Sequence, residues 1–392
     1  MKPSSRTIPA TARLAVTSIL FVALFAVVLA VVFSLPACSK KSESKEIKIG
    51  AILPLSGDNA TYGTALKRGM DLAIDSINAR GGINGKKLIV IFEDSQGEPS
   101  KGVTVFNKLT KVDKVPMIIG DMFSAGTLAI APIAEKQKVV LLSPTASAVD
   151  LTNAGDYIFR IYPSDSYDGT YLADFARTRL NANTVSIIYL QVTSIAAVSQ
   201  VFKEKFESLG GKILSTESYK EGDTDFKSQL LKANSVNPDI IFIPGYLREM
   251  ALQLKQAKEL GIRKPFLSIS TFYDSKIFEL SGDASEGVLF SSPAFDTSSA
   301  VPEIVKFVTL YKSRYNNQIP DILSGYGYDV VNIAAHAFTT ATNITSENIK
   351  ASLYQIKNYP GVTGKTSFDA NGDVIKELRI MQVKNGKFVP YQ

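Results

Sequence analysis

Apolar residues along the chain form short continuous runs, separated by segments in which they recur at helical spacing. Runs rich in β-branched side chains predict buried strands. The first of these runs are IKIGAIL at 47, LIVIF at 88, PMIIG at 116 and VVLLS at 139. The segment between the first two is apolar at Leu66, Met70, Ala73, Ile74 and Ile77 and charged between them. Continuous apolar strands joined by helices predict a parallel sheet that is covered on both faces.

The same alternation is repeated in the second half of the chain. Its strand-like runs are VSIIYL at 185, KILSTESY at 212, DIIFIPG at 239 and PFLSIS at 265. Two late helices, around 301–315 and 325–341, and a closing hairpin turned by Asn385-Gly386 follow. The predicted fold is therefore α/β with two lobes, and the chain crosses between the lobes more than once.

The first 37 residues have a different pattern. Leu14 to Leu35 carry no charged side chain and follow three basic residues, Lys2, Arg6 and Arg13, which predicts an export signal or a membrane anchor. The run is longer than the apolar region of most signal peptides and long enough to cross a bilayer, so both interpretations stay open. Residues 38–46 are polar and charged beyond the cysteine and predict a flexible tether.

Cys38 is the only cysteine of the 392 residues. Together with Leu35, Pro36 and Ala37 it resembles a bacterial lipobox, in which a small residue precedes a cysteine that is acylated and becomes the first residue after cleavage. This resemblance implies a signal peptide over 1–37, lipidation of Cys38 and an exported body tethered to the cell membrane. An uncleaved N-terminal helix is the alternative.

Charge and motif content narrow the possible functions. The net charge is +6 and falls by three when residues 1–37, with three basic and no acidic residues, are removed. That small excess does not indicate a nucleic-acid partner. The chain has no P-loop, no Cys or His metal spacing and no G-x-S-x-G motif, and its lone His336 lies in a helical stretch. The sequence therefore predicts neither an enzyme nor a bound metal or cofactor.

Candidate binding residues follow the predicted strands, because ligands of open parallel sheets bind beyond the carboxyl ends of the strands. These residues are Ser124, Thr145, Ser147, Tyr246, Ser270, Thr271 and Phe272. The first lobe offers hydroxyls and helix-start N–H groups that suit a carboxylate, and the second lobe offers aromatic surface. Each residue alone is equally typical of a helix cap or a half-buried loop. Together they predict a cleft between the lobes.

From about residue 47 onward the chain resembles the extracytoplasmic solute-binding proteins of branched-chain amino acid ABC importers. This family has the type I periplasmic binding fold typified by the leucine/isoleucine/valine-binding protein. The motifs are PLSG at 54, YG at 62, INARGGINGKKL at 77, Asp94 with Pro99, IIG at 118 with Ser124, AIAPIAEKQKV at 129, LLSPTAS at 141 and GKTSFDANGD at 364. The resemblance implies three hinge crossovers between lobe 1, at 47–162 and 294–358, and lobe 2, at 163–293 and 359–392.

The resemblance also assigns ligand contacts to matching positions. The family's serine that binds the ligand carboxylate matches Ser124. Its backbone-carbonyl and hydroxyl pair matches Thr145 and Ser147. A cleft tyrosine matches Tyr246, and an aromatic residue near the ligand side chain matches Tyr62.

Two groups expected from the family are missing. Its second cleft tyrosine falls at Ser194, and the acid that pairs with the ligand ammonium falls at Ser270. Burying an ammonium without a counter-charge costs several kcal/mol. Either the ligand is not an amino acid, or another acid such as Asp121 or Asp274 takes this role.

The resulting prediction is a monomeric, lipid-anchored receptor that captures a small solute and delivers it to an ABC permease and ATPase. The solute is a branched-chain amino acid or a related carboxylate or amide, with its apolar portion near Tyr246, Tyr62 or Phe272. A ligand sensor that signals to a membrane partner is the alternative, because both functions use closure of the same cleft.

Overall fold

Two sheets organise the computed structural model of this protein, which describes residues 45–392. The first sheet is parallel throughout, in the order β2-β1-β3-β4-β5. Its strands are β1 (Glu46–Leu53), β2 (Lys87–Asp94), β3 (Met117–Ile119), β4 (Val140–Ser143) and β5 (Ile158–Arg160).

The second sheet has the order β14-β13-β10-β9-β8-β6-β7. Five of its strands are parallel, and β13 and β14 add an antiparallel hairpin at one edge. Its strands are β6 (Thr184–Leu190), β7 (Lys212–Tyr219), β8 (Ile240–Phe242), β9 (Phe266–Ser268), β10 (Leu289–Pro293), β13 (Leu378–Lys384) and β14 (Lys387–Pro390). A separate two-stranded hairpin consists of β11 (Ser367–Phe368) and β12 (Val374–Ile375).

Eleven α-helices of the described residues connect these strands. They are α1 (Ala60–Ala79), α2 (Pro99–Lys111), α3 (Ser124–Gln137), α4 (Asp165–Thr178), α5 (Thr193–Ser208), α6 (Lys227–Ser235), α7 (Leu247–Glu259), α8 (Lys276–Ser281), α9 (Pro302–Arg314), α10 (Ile322–Thr340) and α11 (Ser346–Tyr354). Short 3₁₀ turns occur at Val149–Asn153, Ser270–Phe272 and Gly282–Ser285. The local sequence explains where several helices begin. Proline occupies the first turn of α2 and of α9. The Asp321 carboxylate caps α10 by accepting a hydrogen bond from the Ser324 N–H at 2.7 Å.

The strands of the first sheet are buried on both faces. In β3, for example, Met117 and Ile119 pack in a core with α1, α9, α10 and α11, whereas Ile118 packs in a second core with α2 and α3. Side chains alternate between faces along a strand, so a continuous apolar run supplies both cores. The second sheet has its own core with helices α4 to α8. The predicted fold class, parallel sheets flanked by helices in two lobes, is confirmed.

Helices α1 and α10 approach each other closely because glycines lie at their contact. A Cβ atom at Gly69 would lie 1.8 Å from the Ser324 carbonyl oxygen, and one at Gly327 would lie 2.0 Å from the Leu66 carbonyl oxygen. No other residue fits at either position without moving a helix. This contact fixes the C-terminal helices onto the first lobe.

The chain passes between the lobes at three places: between β5 and α4, between β10 and α9, and between β12 and β13. The predicted boundary at residue 359 is too early. Val362 and Phe368 are buried in the first core, so the chain leaves that lobe only after β12.

The N-terminal predictions lie outside the described residues: the signal peptide at 1–37, the lipidation of Cys38 and most of the tether at 38–46. Across residues 45–392, none of the helices is both long enough and apolar enough to cross a membrane.

Candidate functional site

A cavity of ≈ 180 Å³ lies where the three crossovers meet the facing edges of the two lobes. It is lined by Ser147, Tyr162, Pro163, Asp165, Asp168, Ser194, Ile195, Tyr246, Ile269, Ser270, Thr271, Pro293 and Leu378. Ser147 comes from the first lobe, the residues around 162–168, 293 and 378 belong to the crossovers or their ends, and the others come from the second lobe. A molecule in this cavity would therefore contact both lobes and the hinge.

Four of the predicted binding residues line the cavity: Ser147, Tyr246, Ser270 and Thr271. The Ser270 hydroxyl lies 3.0 Å from the hydroxyl of Tyr162. This hydrogen bond joins the second lobe to the first crossover. Tyr246 precedes the first turn of α7 and is partly exposed, at 38%. Each of these residues follows a parallel strand, as expected for a site beyond the carboxyl ends of the strands.

Ser124 and Thr145 do not line the cavity but hold the loop that carries Ser147. The Ser124 hydroxyl accepts hydrogen bonds from the N–H groups of Ser147 (3.2 Å) and Ala148 (3.1 Å). The Thr145 hydroxyl donates to the Met122 carbonyl oxygen at 2.7 Å. Both residues therefore fix the loop that brings Ser147 to the cavity.

Tyr62 and Phe272 lie elsewhere. Tyr62 is 51% exposed and packs edge-on against Phe123, with the ring centroids 6.4 Å apart. Phe272 is fully buried in the core of the second lobe, 5.1 Å from the ring of Phe290, and this contradicts its prediction as a ligand contact. Side chains of a 3₁₀ turn are about 120° apart, so Ser270 faces the cavity while Phe272 faces the core.

Neither acid considered from the sequence reaches the cavity. Asp121 is fully buried beneath α3, where its carboxylate accepts from the Met122 N–H at 2.5 Å, and burial raises its pKa. Asp274 is exposed, and its carboxylate accepts from the Lys276 N–H at 2.8 Å.

Two other acids, Asp165 and Asp168, line the cavity from the first turn of α4. Burial raises the pKa of Asp165 to about 7 and that of Asp168 to about 6, chiefly because both carboxyls lose water. The Ser147 hydroxyl partly offsets this for Asp165, and the hydroxyl of Ser291 and the amide and hydroxyl of Ser270 do so for Asp168. Asp165 Oδ2 and Asp168 Oδ1 are buried without a hydrogen-bond partner.

The sequence contained a signal for this pair. Two acids at i and i+3 come directly after the Pro163-Ser164 pair, and both fall on one side of a helix start. Sequence reasoning missed them because the preceding strand, β5, has only three residues and no clear pattern.

The nearest guanidinium is fully engaged. Arg160 is 2% exposed and bonds Asp373 in a bidentate pair, with Nε–Oδ1 at 2.6 Å and Nη2–Oδ2 at 2.7 Å. Its other nitrogen donates to the Ala148 carbonyl oxygen at 2.7 Å. The pair therefore ties the loop of the β11–β12 hairpin to the loop that carries Ser147.

A buried lysine stands at the third crossover. Lys376 Nζ donates to the Thr363 hydroxyl at 2.6 Å and lies 4.9 Å from the centre of the Tyr326 ring. Burial lowers the pKa of Lys376 to about 8, although the carboxylate of the buried Asp329 opposes this. Asp329 in turn accepts from the N–H groups of Val362 and Thr363, each at 2.8 Å. Polar bonds, as well as apolar packing, thus order the hinge.

Residues 45–392 contain no cluster of three or more potential metal-binding side chains.

Comparison with known proteins gives a consistent result. A family described as periplasmic binding protein matches residues 46–387. The leucine-, isoleucine-, valine-, threonine- and alanine-binding protein of Pseudomonas aeruginosa is 29% identical over 331 residues, which are 84% of this chain and 87% of that protein.

Two solved structures are similar along almost their whole length. The leucine-binding protein LivK of Thermotoga maritima has a TM-score of 0.75 and 30% identity, over 88% of this chain and 98% of that one. LivJ of Streptococcus pneumoniae, a branched-chain amino acid transporter substrate-binding protein in complex with isoleucine, has a TM-score of 0.74 and 32% identity, over 88% and 100%. With the two lobes, three crossovers and interlobe cavity, these matches show that the chain belongs to the periplasmic binding protein family, in the type I class typified by the leucine/isoleucine/valine-binding protein.

Proposed function

We propose that this protein is an extracytoplasmic receptor that captures a small solute between its lobes and delivers it to the permease and ATPase of an ABC importer. The observation that carries the proposal is the cavity lined by both lobes and by each crossover. A solute there contacts both lobes together only when they are close. Its differential affinity therefore shifts the population toward the closed form.

The cavity limits the size of the solute. At ≈ 180 Å³ it is smaller than the roughly 300–1,000 Å³ of pockets that hold drug-sized ligands. The lining combines hydroxyls, as at Ser147 and Ser270, with apolar surface from Ile195, Ile269 and Leu378. This composition and the named ligands of the relatives support a branched-chain amino acid or a related carboxylate or amide.

Attachment to the membrane completes the proposal. A lipid on Cys38 and the polar segment after it would keep a monomeric receptor near its permease, on the outer side of the cell membrane. Stable anchoring takes more than one acyl chain, which the multiply acylated cysteine of bacterial lipoproteins supplies. Mass spectrometry of the N-terminal peptide tests this step, and an unmodified Cys38 in the native host would contradict it.

We propose no catalytic activity. The relatives of this chain are named as binding proteins, and hydroxyl and apolar side chains of the kind that bind a small solute line the cavity. Co-purification with a permease and an ATPase would separate transport from sensing. Chemical conversion of a bound solute by the purified protein would contradict the proposal.

The direct test is a thermal-shift screen of the full-length protein in detergent against amino acids, aliphatic acids, aromatic acids, amides and urea. A ligand at about 100 times its dissociation constant adds about 2.7 kcal/mol to the free energy of unfolding. We expect at least one small solute to raise Tm by several degrees.

Combining Ser124→Ala with Ser147→Ala should weaken binding of that solute by a few kcal/mol, since charge-assisted hydrogen bonds contribute about 1.5–3 kcal/mol each. The double variant removes a cavity hydroxyl and the hydroxyl that holds its loop. An unchanged affinity would reject this side of the site.

A further inference from the structure

The acids of α4 need an explanation that helix capping does not give. The start of α4 is already capped by the Ser164 hydroxyl, which accepts from the Ser166 N–H at 3.3 Å. Acids in a first turn gain from the helix dipole, but this gain is small beside the cost of burying a carboxylate. Asp168 is only 9% exposed, and its Oδ1 has no hydrogen-bond partner.

No basic side chain bonds either acid directly, although the Arg160 guanidinium acts on Asp165 through space. None of the residues that line the cavity is basic. The guanidinium of Arg160 is occupied by Asp373, and Lys376 donates to Thr363. Hydroxyl and amide groups offset only part of the cost of burying a carboxylate that has no bonded counter-charge. The unpartnered oxygens, Asp165 Oδ2 and Asp168 Oδ1, are therefore free to accept hydrogen bonds from a cation that enters the cavity.

We propose that Asp168, together with Asp165, binds a cationic nitrogen of the solute, and this inference rests on the proposed function as a solute receptor. Asp168 lies beside Ser270, the position at which family resemblance leads one to expect the acid. The acid is supplied from α4 at the hinge instead of from the strand end of the second lobe. The preferred solutes are thus amines and zwitterions, and purely anionic carboxylates are excluded.

The arrangement also orients the solute. On the first-lobe side of the cavity, the Ser147 hydroxyl bonds Asp165, and Ser124 holds the loop that carries Ser147. Asp168 faces Ser270 on the second-lobe side. A zwitterion can therefore place its ammonium between Asp165 and Asp168, with its carboxylate directed away from both acids.

The experiment pairs each amino acid with the same skeleton lacking its nitrogen: leucine with 4-methylpentanoate, valine with 3-methylbutanoate and phenylalanine with 3-phenylpropanoate. Calorimetry and thermal shift are applied to the full-length protein and to its Asp168→Asn variant, after the broader solute panel. Asp174→Asn is the control, because Asp174 lies on the same helix but is half-buried outside the cavity and pairs with Lys205 at 3.3 Å. Asp165→Asn is a second test variant.

We expect at least one amino acid or amine to bind, its nitrogen-free partner to bind at least tenfold more weakly, and Asp168→Asn to lose about 10- to 100-fold in affinity. Asp174→Asn should bind like the parent protein. Equal binding of a nitrogen-free acid, or unchanged affinity of both Asp168→Asn and Asp165→Asn, would overturn the inference and leave the receptor function intact. If no solute of the whole panel shifts Tm, the receptor function is rejected and the inference with it.

Discussion

Replacing Asp168 by asparagine is expected to stabilise the unliganded protein at neutral pH. Burial raises the pKa of Asp168 from 3.8 to about 6, so the folded state holds its proton more tightly than the unfolded chain does. Between those two pH values the folded state binds more protons, and its stability therefore falls as pH rises. Asparagine resembles the protonated side chain and has no charge to bury.

The size of the effect follows from the same shift. A pKa raised from 3.8 to about 6 corresponds to about 3 kcal/mol of differential interaction between the two protonation states. The difference in unfolding free energy between Asp168→Asn and the parent protein should be near zero at about pH 4 and approach about 3 kcal/mol at about pH 8. Loss of the repulsion between Asp168 and Asp165 acts in the same direction.

Urea unfolding at several pH values between about 4 and 8 measures this difference, because comparison with the parent protein cancels the other titrating groups. Asp174→Asn is the control for removing a carboxylate of the same helix that lies outside the cavity. Adding a saturating amine or zwitterion should reverse the order of stability, since the parent protein alone gains the cation at its intact acid pair. The burial argument would be refuted if the difference in unfolding free energy did not change with pH. It would also be refuted if Asp168→Asn were less stable than the parent protein at about pH 8.

Three further substitutions test the fold and the assignment of the cavity. Asp373→Asn should cost about 3–5 kcal/mol in urea unfolding, because it leaves a buried guanidinium without its counter-charge, and a loss under about 1 kcal/mol would contradict this. Phe272→Ala should lower stability by about 3–5 kcal/mol, whereas Tyr246→Ala should weaken solute binding with little change in stability; the opposite pattern would restore Phe272 as a ligand contact. Gly327→Ala should reduce Tm by many degrees or prevent soluble expression, since the new Cβ would lie 2.0 Å from a carbonyl oxygen of α1, and a normal Tm would show that the helices can separate.

Much of the fold could be predicted from the sequence because buried parallel strands are continuous apolar runs. The run PMIIG, for instance, contains β3, with alternate residues in two cores. Very short strands lack such a signal, and β5 was missed for this reason. The last lobe boundary was misplaced because Val362 and Phe368 contact residues far away in sequence, and sequence periodicity does not report those contacts.

The cavity was predicted in part. The expectation that ligands bind beyond the carboxyl ends of parallel strands placed Ser147, Ser270 and Tyr246 at the cavity, because the loops after these strands converge at one edge of a sheet. It failed for Phe272, since within one 3₁₀ turn the direction of a side chain changes from cavity to core. It missed Asp168, whose importance depends on burial and the absence of a partner, and these are properties of the packed structure.

Closure of the lobes on a solute is the central claim, and small-angle X-ray scattering tests it most directly. Once the solute screen has identified a ligand, scattering is recorded for the parent protein and for Asp168→Asn with and without that ligand. We predict a smaller radius of gyration for the saturated parent protein and no change for the variant at the same concentration. Binding confirmed by calorimetry with an unchanged radius of gyration would contradict capture by closure.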